Sequence, residues 1–212
     1  MDSPNFERFD GIAEYYSEKI AQHGETANGV DWNGEESQKL RFKQLSRIMD
    51  SPQPFTVNDV GCGYGALLDY LWDDFFVQSY QGVDICGEMI RAAERRHMQK
   101  PRAEFLKAST PNRIRDFSIA SGIFNVKLDH KKEEWLEYIL STLELLNCKS
   151  KLGFAFNCLT SYSDESMKRD YLYYADPLVL FDFCKRKFSA QVALLHDYGL
   201  YEFTILVRKQ HE

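Results

Sequence analysis

The sequence lacks any long apolar run, and this absence argues against a membrane-spanning protein. No stretch of about 18 consecutive apolar residues occurs, so no transmembrane helix is expected. The opening residues, MDSPN, also lack the basic segment followed by an apolar stretch that marks a secretory signal. We therefore expect no membrane segment and no signal peptide.

Paired cysteines are also missing. The five cysteines, at positions 62, 86, 148, 158 and 184, include no C-x-x-C pair. An odd, scattered set is typical of buried thiols in a reducing compartment rather than of disulfides, which favours a cytoplasmic location. Without paired metal-ligand spacing we expect no zinc site and no other bound metal.

Positive charge is not in excess either. The chain has 26 Lys and Arg against 32 Asp and Glu, a formal net charge of −6. This balance argues against a protein that wraps nucleic acid or lies on an anionic membrane. The 212 residues, 44% of them hydrophobic, are enough for one domain with a full core, and no internal repeat divides them. We therefore predict a single domain over residues 1–212.

Strand-like and helix-like segments alternate along the chain. Helical spacing of apolar residues occurs at 5–22, 35–50, 66–76, 87–99, 131–147 and 177–187. Strand patterns occur at 55–60, 79–83, 103–106, 117–124, 152–159, 191–196 and 201–209. The alternation predicts a three-layer α/β sandwich with a mostly parallel sheet. The last two strands are joined by too short a connection for a crossover, so the final strand is predicted to be antiparallel.

The segment 57–65, VNDVGCGYG, joins the first predicted strand to the helix that follows it. Its three glycines alternate as G-x-G-x-G, and Asp59 lies two residues before the first of them. Glycine allows the backbone to approach a ligand closely, and such a turn lies at the carboxyl edge of a parallel sheet, where ligands bind. The spacing differs from the G-x-G-x-x-G of dinucleotide-binding proteins. Asp84, which ends the second strand, is placed to accept hydrogen bonds from both hydroxyls of a ribose, although it also suits a helix cap.

These motifs resemble the nucleotide-binding half of class I S-adenosylmethionine-dependent methyltransferases. The resemblance rests on the run Asp59–Gly65 and on Gly82-Val83-Asp84-Ile85 with Met89 after it, and the closing antiparallel strand is similar to that of the superfamily. It implies a Rossmann-like fold with strand order 3-2-1-4-5-7-6 and a core over residues 55–212.

The N-terminal pattern Phe9-Asp10-x-x-Ala13-x-x-Tyr16 resembles the first helix of small-molecule members of the same superfamily. The resemblance implies that residues 1–50 form a helical lid over the cofactor. It also implies a substrate-facing insert at about 160–177. The amino-group methylase motif Asn/Asp-Pro-Pro-Tyr is absent, and the corresponding segment reads SGIFN.

The resemblance implies which residues hold S-adenosylmethionine or its product, S-adenosylhomocysteine. Asp59 would lie near the amino group of the methionine part and Asp84 at the ribose. Ser109, where the family often has Asp, would leave adenine recognition to backbone groups and stacking. Arg41 of the lid would pair with the methionine carboxylate, or would be a surface arginine. The full cofactor set is Tyr16, Arg41, Asp59, Gly61, Cys62, Gly63, Asp84, Ile85, Met89, Ala108, Ser109, Gly122 and Phe124.

Candidate acceptor-binding residues come from the predicted insert. Tyr162, Arg169 and Tyr173 belong to a segment rich in tyrosine, and aromatic walls with a few polar groups suit a small organic ligand. The alternative is that the tyrosines only fix the insert to the core.

Methyl transfer from a sulfonium is direct and in line, so the protein needs chiefly to align the acceptor and exclude water. His130 and His196 are the candidate general bases, with a solvated or capping histidine as the alternative for each. A carboxylate or free amine acceptor needs no base.

The sequence therefore predicts a cytoplasmic methyltransferase, monomeric or homodimeric, that acts on a small molecule, most readily at oxygen. Two other functions stay open. A tRNA methyltransferase would use the basic cluster over residues 91–102, which otherwise forms a solvated face. A non-catalytic, cofactor-binding partner protein would bind the same cofactor without turnover.

Overall fold

The computed structural model describes residues 10–49 and 53–209. Within these ranges the strands are β1 Phe55–Val60, β2 Val77–Asp84, β3 Ala103–Lys107, β4 Arg115–Ala120, β5 Ser150–Leu159, β6 Gln191–Leu195 and β7 Glu202–Arg208. The α-helices are α1 Asp10–His23, α2 Glu35–Ser46, α3 Ala66–Asp74, α4 Gly87–Arg96, α5 Lys132–Cys148 and α6 Pro177–Lys187. Short 3-10 helices lie at Asn28–Val30, Arg47–Met49 and Glu165–Met167.

The seven strands form one sheet in the order β3-β2-β1-β4-β5-β7-β6. Strands β1 to β5 pair in parallel, whereas β7 pairs antiparallel with both β5 and β6. The predicted strand order and the antiparallel last strand are confirmed. The carboxyl ends of β1, β2 and β4 therefore lie at the same edge of the sheet.

Two buried clusters pack on opposite faces of the sheet. Along β5, Phe154 and Phe156 belong to the cluster that contains Trp135 of α5. Ala155, between them, belongs to the cluster that contains Leu68 of α3. This alternation follows from the two-residue period of a strand. The sheet is thus covered on both faces, as a three-layer sandwich requires.

The N-terminal segment packs against the core at two places. Helix α1 contacts α4, whereas α2 contacts β5 and β7. The predicted first helix over 5–22 agrees with α1 in the part that the structure describes, and its first residues, Phe9 among them, lie outside that part. Residues 24–34, which connect α1 to α2, contain the 3-10 turn Asn28–Val30.

Strand β4 ends earlier than its apolar pattern predicts. The predicted strand over 117–124 stops at Ala120, because Gly122 has a φ of 77° and turns the chain. Ile123 and Phe124 continue the apolar run without continuing the strand. Among the helices that the structure describes, none combines the length and apolarity needed to cross a bilayer.

Candidate functional site

A first cavity opens where β1, β2 and β4 end. All but two of the predicted cofactor residues line it: Tyr16, Asp59, Gly61, Cys62, Gly63, Asp84, Ile85, Met89, Ala108, Ser109 and Gly122. Residues far apart in the chain meet here because parallel strands present their carboxyl ends at one edge. Their role in binding a cofactor stays a prediction.

The glycine turn after β1 forms the floor of the first cavity. Gly61 has a φ of 74°, and a Cβ atom there would lie 2.0 Å from Cγ2 of Ile123. Its N–H donates to the backbone oxygen of Val83 at 2.8 Å, which fixes the turn to β2. At the far end of the turn, Nε2 of the buried His97 donates to the backbone oxygen of Gly65 at 3.0 Å. The turn is therefore held from both sides.

Asp84 is held by the backbone on both carboxylate oxygens. Oδ2 accepts from the N–H of Gly63 at 2.9 Å, and Oδ1 accepts from the N–H of Cys86 at 2.8 Å. Burial raises the pKa of Asp84, while these backbone hydrogen bonds oppose the rise. Each oxygen keeps a further lone pair for a ligand donor.

Asp59 lies deeper, at the end of β1. It is buried, and its Oδ2 accepts a short hydrogen bond from the hydroxyl of Tyr80. Burial raises the pKa of Asp59 to about 7, the Tyr80 hydroxyl lowers it, and the neighbouring charge of Asp84 raises it further. The protonation state of this carboxyl group is therefore sensitive to pH near neutrality.

A tryptophan from the N-terminal segment closes the first cavity over the end of β4. A Cβ atom on Gly122 would lie 2.3 Å from Cζ2 of Trp32, so only glycine allows this contact. The guanidinium of Arg41 lies 3.9 Å from the centre of the Trp32 ring. The indole is thus held between α2 and the β4 turn.

A second cavity, of about 340 Å³, adjoins the first. Tyr16, Val30, Trp32 and Gly122 line both cavities. Its outer wall comes from the segment between β5 and α6 and from the β6–β7 connection, with Arg169, Tyr171, Tyr174 and Tyr201. The two cavities therefore meet at the Trp32–Gly122 contact.

Two predicted cofactor residues do not line the first cavity. The side chain of Arg41 is only 6% exposed and forms a bidentate ion pair with Glu202, with both N···O distances at 2.8 Å. It lines the second cavity instead. Phe124 is fully buried, packs edge-to-face on Phe156, and accepts a hydrogen bond on its backbone oxygen from Nε1 of Trp135. The turn at Gly122 directs it into the core.

Of the three residues predicted to bind the acceptor, one lines the second cavity and two do not. Arg169 lines the second cavity. Tyr162 is 66% exposed and packs near His196, and Tyr173 packs against the core, so neither lines a cavity. The tyrosines that do line the second cavity are Tyr171 and Tyr174 of the same segment.

Neither candidate base reaches a cavity wall. The ring of His130 stacks on Trp135, just before α5 begins. His196 follows β6 at the predicted edge of the sheet, but it is exposed and packs near Tyr162 and Phe203. Among the described residues, no histidine lines the first or the second cavity.

Sequence reasoning missed several residues of the first cavity. Phe42 of α2 and Tyr138 of α5 line it through helical faces whose direction no local motif indicates. Ser121 also lines it, and its Oγ is buried without a hydrogen-bond partner among the described residues. Its position next to Gly122 is the one signal that pointed to it.

The basic cluster over residues 91–102 is largely neutralised by the protein itself. Arg96 and Lys100 contact Asp69 at 2.6 and 3.0 Å, and Arg91 contacts Glu88 at 2.5 Å. His97 of the same cluster is buried under the glycine turn. These cations form neither a free basic patch nor a wholly solvated face.

Comparisons with known proteins agree with this geometry. Residues 57–144 match a family model described as a methyltransferase domain. A Mycobacterium tuberculosis protein provisionally named methyltransferase Rv1506c is 58% identical over 163 residues, which cover 77% of this chain and 98% of that relative.

Two solved structures share the fold. The N-methyltransferase NodS from Bradyrhizobium japonicum WM9, in complex with S-adenosyl-L-homocysteine, superposes with a TM-score of 0.69 at 12% identity, over 95% of this chain and 100% of that one. The magnesium protoporphyrin IX methyltransferase ChlM from Synechocystis PCC 6803, with bound SAM, gives 0.62 at 12% identity, over 99% and 100%. At such identity the likeness establishes the fold alone.

Proposed function

Because the chain belongs to the class I S-adenosylmethionine-dependent methyltransferase superfamily, we propose that it transfers a methyl group to an oxygen atom of a small organic acceptor. The observation that carries this proposal is the meeting of two cavities at Trp32 and Gly122. One cavity has the glycine turn and Asp84, and the other has aromatic walls suited to an organic molecule.

The residues of the first cavity fit S-adenosylmethionine. Asp84, oriented by two backbone N–H groups, has lone pairs left for ribose hydroxyls. The buried Oγ of Ser121, which has no hydrogen-bond partner among the described residues, would gain one from a polar ligand atom in this cavity. Asp59, at the end of β1, would carry the negative charge that the amino group of the methionine part requires. We assign Ile85 and Met89 to the apolar contacts with adenine.

The cofactor supplies an activated sulfonium methyl group, so no covalent enzyme intermediate is needed. The work of the protein is then to align the acceptor and exclude water. Trp32 is placed for both tasks, because it forms part of the wall of each cavity and covers Gly122. Residues 10–49 would accordingly act as the lid.

The walls of the two cavities favour an acceptor oxygen that is already ionised. No described histidine lines either cavity, and the carboxylates of the second, Asp31 and Glu202, are engaged with Lys19 and Arg41. Since Asp59 and Asp84 of the first cavity are assigned to the cofactor, neither cavity has a side chain left to act as a general base. An acidic hydroxyl or a carboxylate meets this condition at neutral pH.

RNA methylation is the weaker alternative. Its support was the basic cluster over residues 91–102, and most of that charge is paired with acidic side chains of the protein. With a net charge of −6, retention of RNA by the purified protein would require another surface. A non-catalytic partner protein is the other alternative, and it predicts cofactor binding without turnover.

Calorimetry with S-adenosylhomocysteine tests the first half of the proposal. We expect saturable binding that is weakened at least about tenfold in Asp84→Ala, because the ribose loses a charge-assisted hydrogen bond. Absence of binding at millimolar ligand would falsify the proposed function. Incubation with isotope-labelled S-adenosylmethionine and a small-molecule extract, followed by mass spectrometry, tests turnover, and cofactor binding without any labelled product would favour the partner protein.

We also propose a cytoplasmic location. All five cysteines are free thiols, as is usual in a reducing compartment. Cell fractionation checks this, and recovery with secreted proteins would contradict it. Size-exclusion chromatography decides between monomer and homodimer.

A further inference from the structure

The second cavity has a mixed lining that includes both aromatic rings and aliphatic side chains. Tyr171, Tyr174, Tyr201 and Trp32 contribute rings, and Val126 and Leu172 contribute aliphatic surface. A wall of this kind suits a molecule with a ring or another compact apolar body. The polar groups among these side chains then decide what else the molecule carries.

The acidic groups of the second cavity already accept hydrogen bonds from other side chains of the protein. Asp31 accepts from the hydroxyl of Tyr15 at 2.7 Å and from Nζ of Lys19 at 2.6 Å. Glu202 accepts two hydrogen bonds from Arg41 and a third, at 2.6 Å, from Nδ2 of Asn157. Glu202 therefore has little accepting capacity left for donors on a ligand, whereas each oxygen of Asp31 keeps a lone pair and its charge is balanced by Lys19.

The basic groups of the second cavity, in contrast, are not fully paired within the protein. Nε and Nη2 of Arg41 bind Glu202, but Nη1 is buried without a hydrogen-bond partner among the described residues. A buried charged donor that lacks an acceptor is costly in free energy, and native structures rarely leave one so. Arg41 lines the second cavity, so its guanidinium lies next to any ligand bound there.

Arg169 adds a charge that the protein does not neutralise. Its Nη1 donates to the backbone oxygens of Ser166 at 3.2 Å and Lys168 at 3.0 Å, and no described carboxylate forms an ion pair with its guanidinium. The four charged residues of the lining, Asp31, Glu202, Arg41 and Arg169, sum to zero. Asp31 is also balanced by Lys19 from outside the lining and Glu202 by Arg41, so the charge of Arg169 is left without a counter-charge.

From these contacts we propose that the methyl acceptor is an acidic small molecule, in which a ring or compact apolar body carries an oxyanion that Arg41 and Arg169 recognise. This inference rests on the proposed function, since it names the acceptor class of the same site. A carboxylate and a phosphate ester share the required chemistry. Both place anionic oxygens where guanidinium groups offer donors.

The test measures binding of matched probes to the protein saturated with S-adenosylhomocysteine. The probes are 4-hydroxybenzoate, phenyl phosphate and the uncharged 4-hydroxybenzamide, compared by calorimetry at low salt. We expect at least one acid to bind about fivefold more tightly than the amide, which is the size of an exposed charge pair. The two acids distinguish a carboxylate site from a phosphate site.

Variants show whether the preference for an acid over the amide depends on residues of the second cavity. Arg169→Gln should bring the acid down to the affinity of the amide and leave the affinity for S-adenosylhomocysteine unchanged. The matched control is Arg186→Gln, which removes an exposed α6 cation paired with Asp182, and it should keep the full preference. Arg41→Lys, which keeps a charge opposite Glu202 but removes the Nη1 donor, should also weaken acid binding. If that variant fails to fold, Arg169→Gln alone decides.

Two results overturn the inference: equal affinity of the amide and both acids, or an acid preference that survives in Arg169→Gln. Either result with intact S-adenosylhomocysteine binding leaves the proposed function standing. Loss of S-adenosylhomocysteine binding in the unmodified protein instead removes the proposed function, and with it this inference.

Discussion

Asp59 is the residue whose protonation is expected to control cofactor affinity near neutral pH. Its carboxyl group is enclosed at the end of β1, and burial raises its pKa to about 7. A ligand with a positive charge nearby stabilises the ionised form. Binding of the cofactor's amino group should therefore lower the pKa of Asp59 and release a proton.

We expect the affinity for S-adenosylhomocysteine to rise about tenfold between pH 5.5 and pH 7, as Asp59 becomes ionised in the free protein. Calorimetry across this range measures the change, and the heat measured in buffers of different ionisation enthalpy reports the released proton. Asp59→Asn, which keeps an acceptor for the Tyr80 hydroxyl, should bind more weakly with little pH dependence. An unchanged slope in this variant would show that another group titrates.

Residues differ in how far the sequence could predict them. The location of Asp59, Gly61 and Asp84 at one cavity could be predicted. A strand, a glycine turn and a second strand are local features, and each has its own sequence signal. The location of Tyr138 could not be predicted, since its helix could present any of several faces to the sheet. Arg41, which was predicted to bind the cofactor, lines the second cavity, because a partner 161 residues away decides its direction.

The turn after β4 and the loop that carries Trp32 form the contact between the core and the N-terminal segment. Gly122 has a φ of 77°, and its missing side chain is the space that the Trp32 ring occupies. The apolar pattern predicted that β4 continues to Phe124, since the pattern reports burial and not backbone direction. The position of Gly122, and not the apolar pattern, determines where β4 ends.

Gly122→Ala should therefore have two effects. The positive φ costs about 1–2 kcal/mol for a residue with a Cβ. The added Cβ would also collide with Trp32 and displace the indole from the first cavity. We expect S-adenosylhomocysteine to bind about tenfold more weakly. Urea unfolding measures the first effect and calorimetry the second.

Gly24→Ala is the matched control for this change. Gly24 has a φ of 66°, and a Cβ there would meet nothing within 4 Å. It should lose similar stability but bind S-adenosylhomocysteine normally. Equal loss of affinity in both variants would mean that stability, and not the position of Trp32, explains the effect.

Across the whole molecule, one buried polar network joins the N-terminal segment to three strands. Arg41 of α2 binds Glu202 of β7, which accepts from Asn157 of β5. Oδ1 of Asn157 in turn accepts from the N–H of Gly122, after β4, at 2.8 Å. The mostly parallel sheet and its antiparallel last strand were predictable from alternation and from the closing hairpin, and the strand order was implied by the resemblance to the superfamily. This network was not predictable, because its members come from distant segments and share no pattern.

Removing one partner of this network should destabilise the whole fold. Arg41→Met leaves the carboxylate of Glu202 buried without its cation, and we expect a loss of about 3–5 kcal/mol in the free energy of unfolding. Arg41→Met combined with Glu202→Gln removes both charges and should recover most of that loss. Lys39→Met, which breaks the exposed pair with Glu35 on the same helix, should leave the urea midpoint almost unchanged. If Arg41→Met unfolds at the same urea concentration as Lys39→Met, the network does not hold the N-terminal segment on the core, and Trp32 must be positioned by its contact with Gly122 alone.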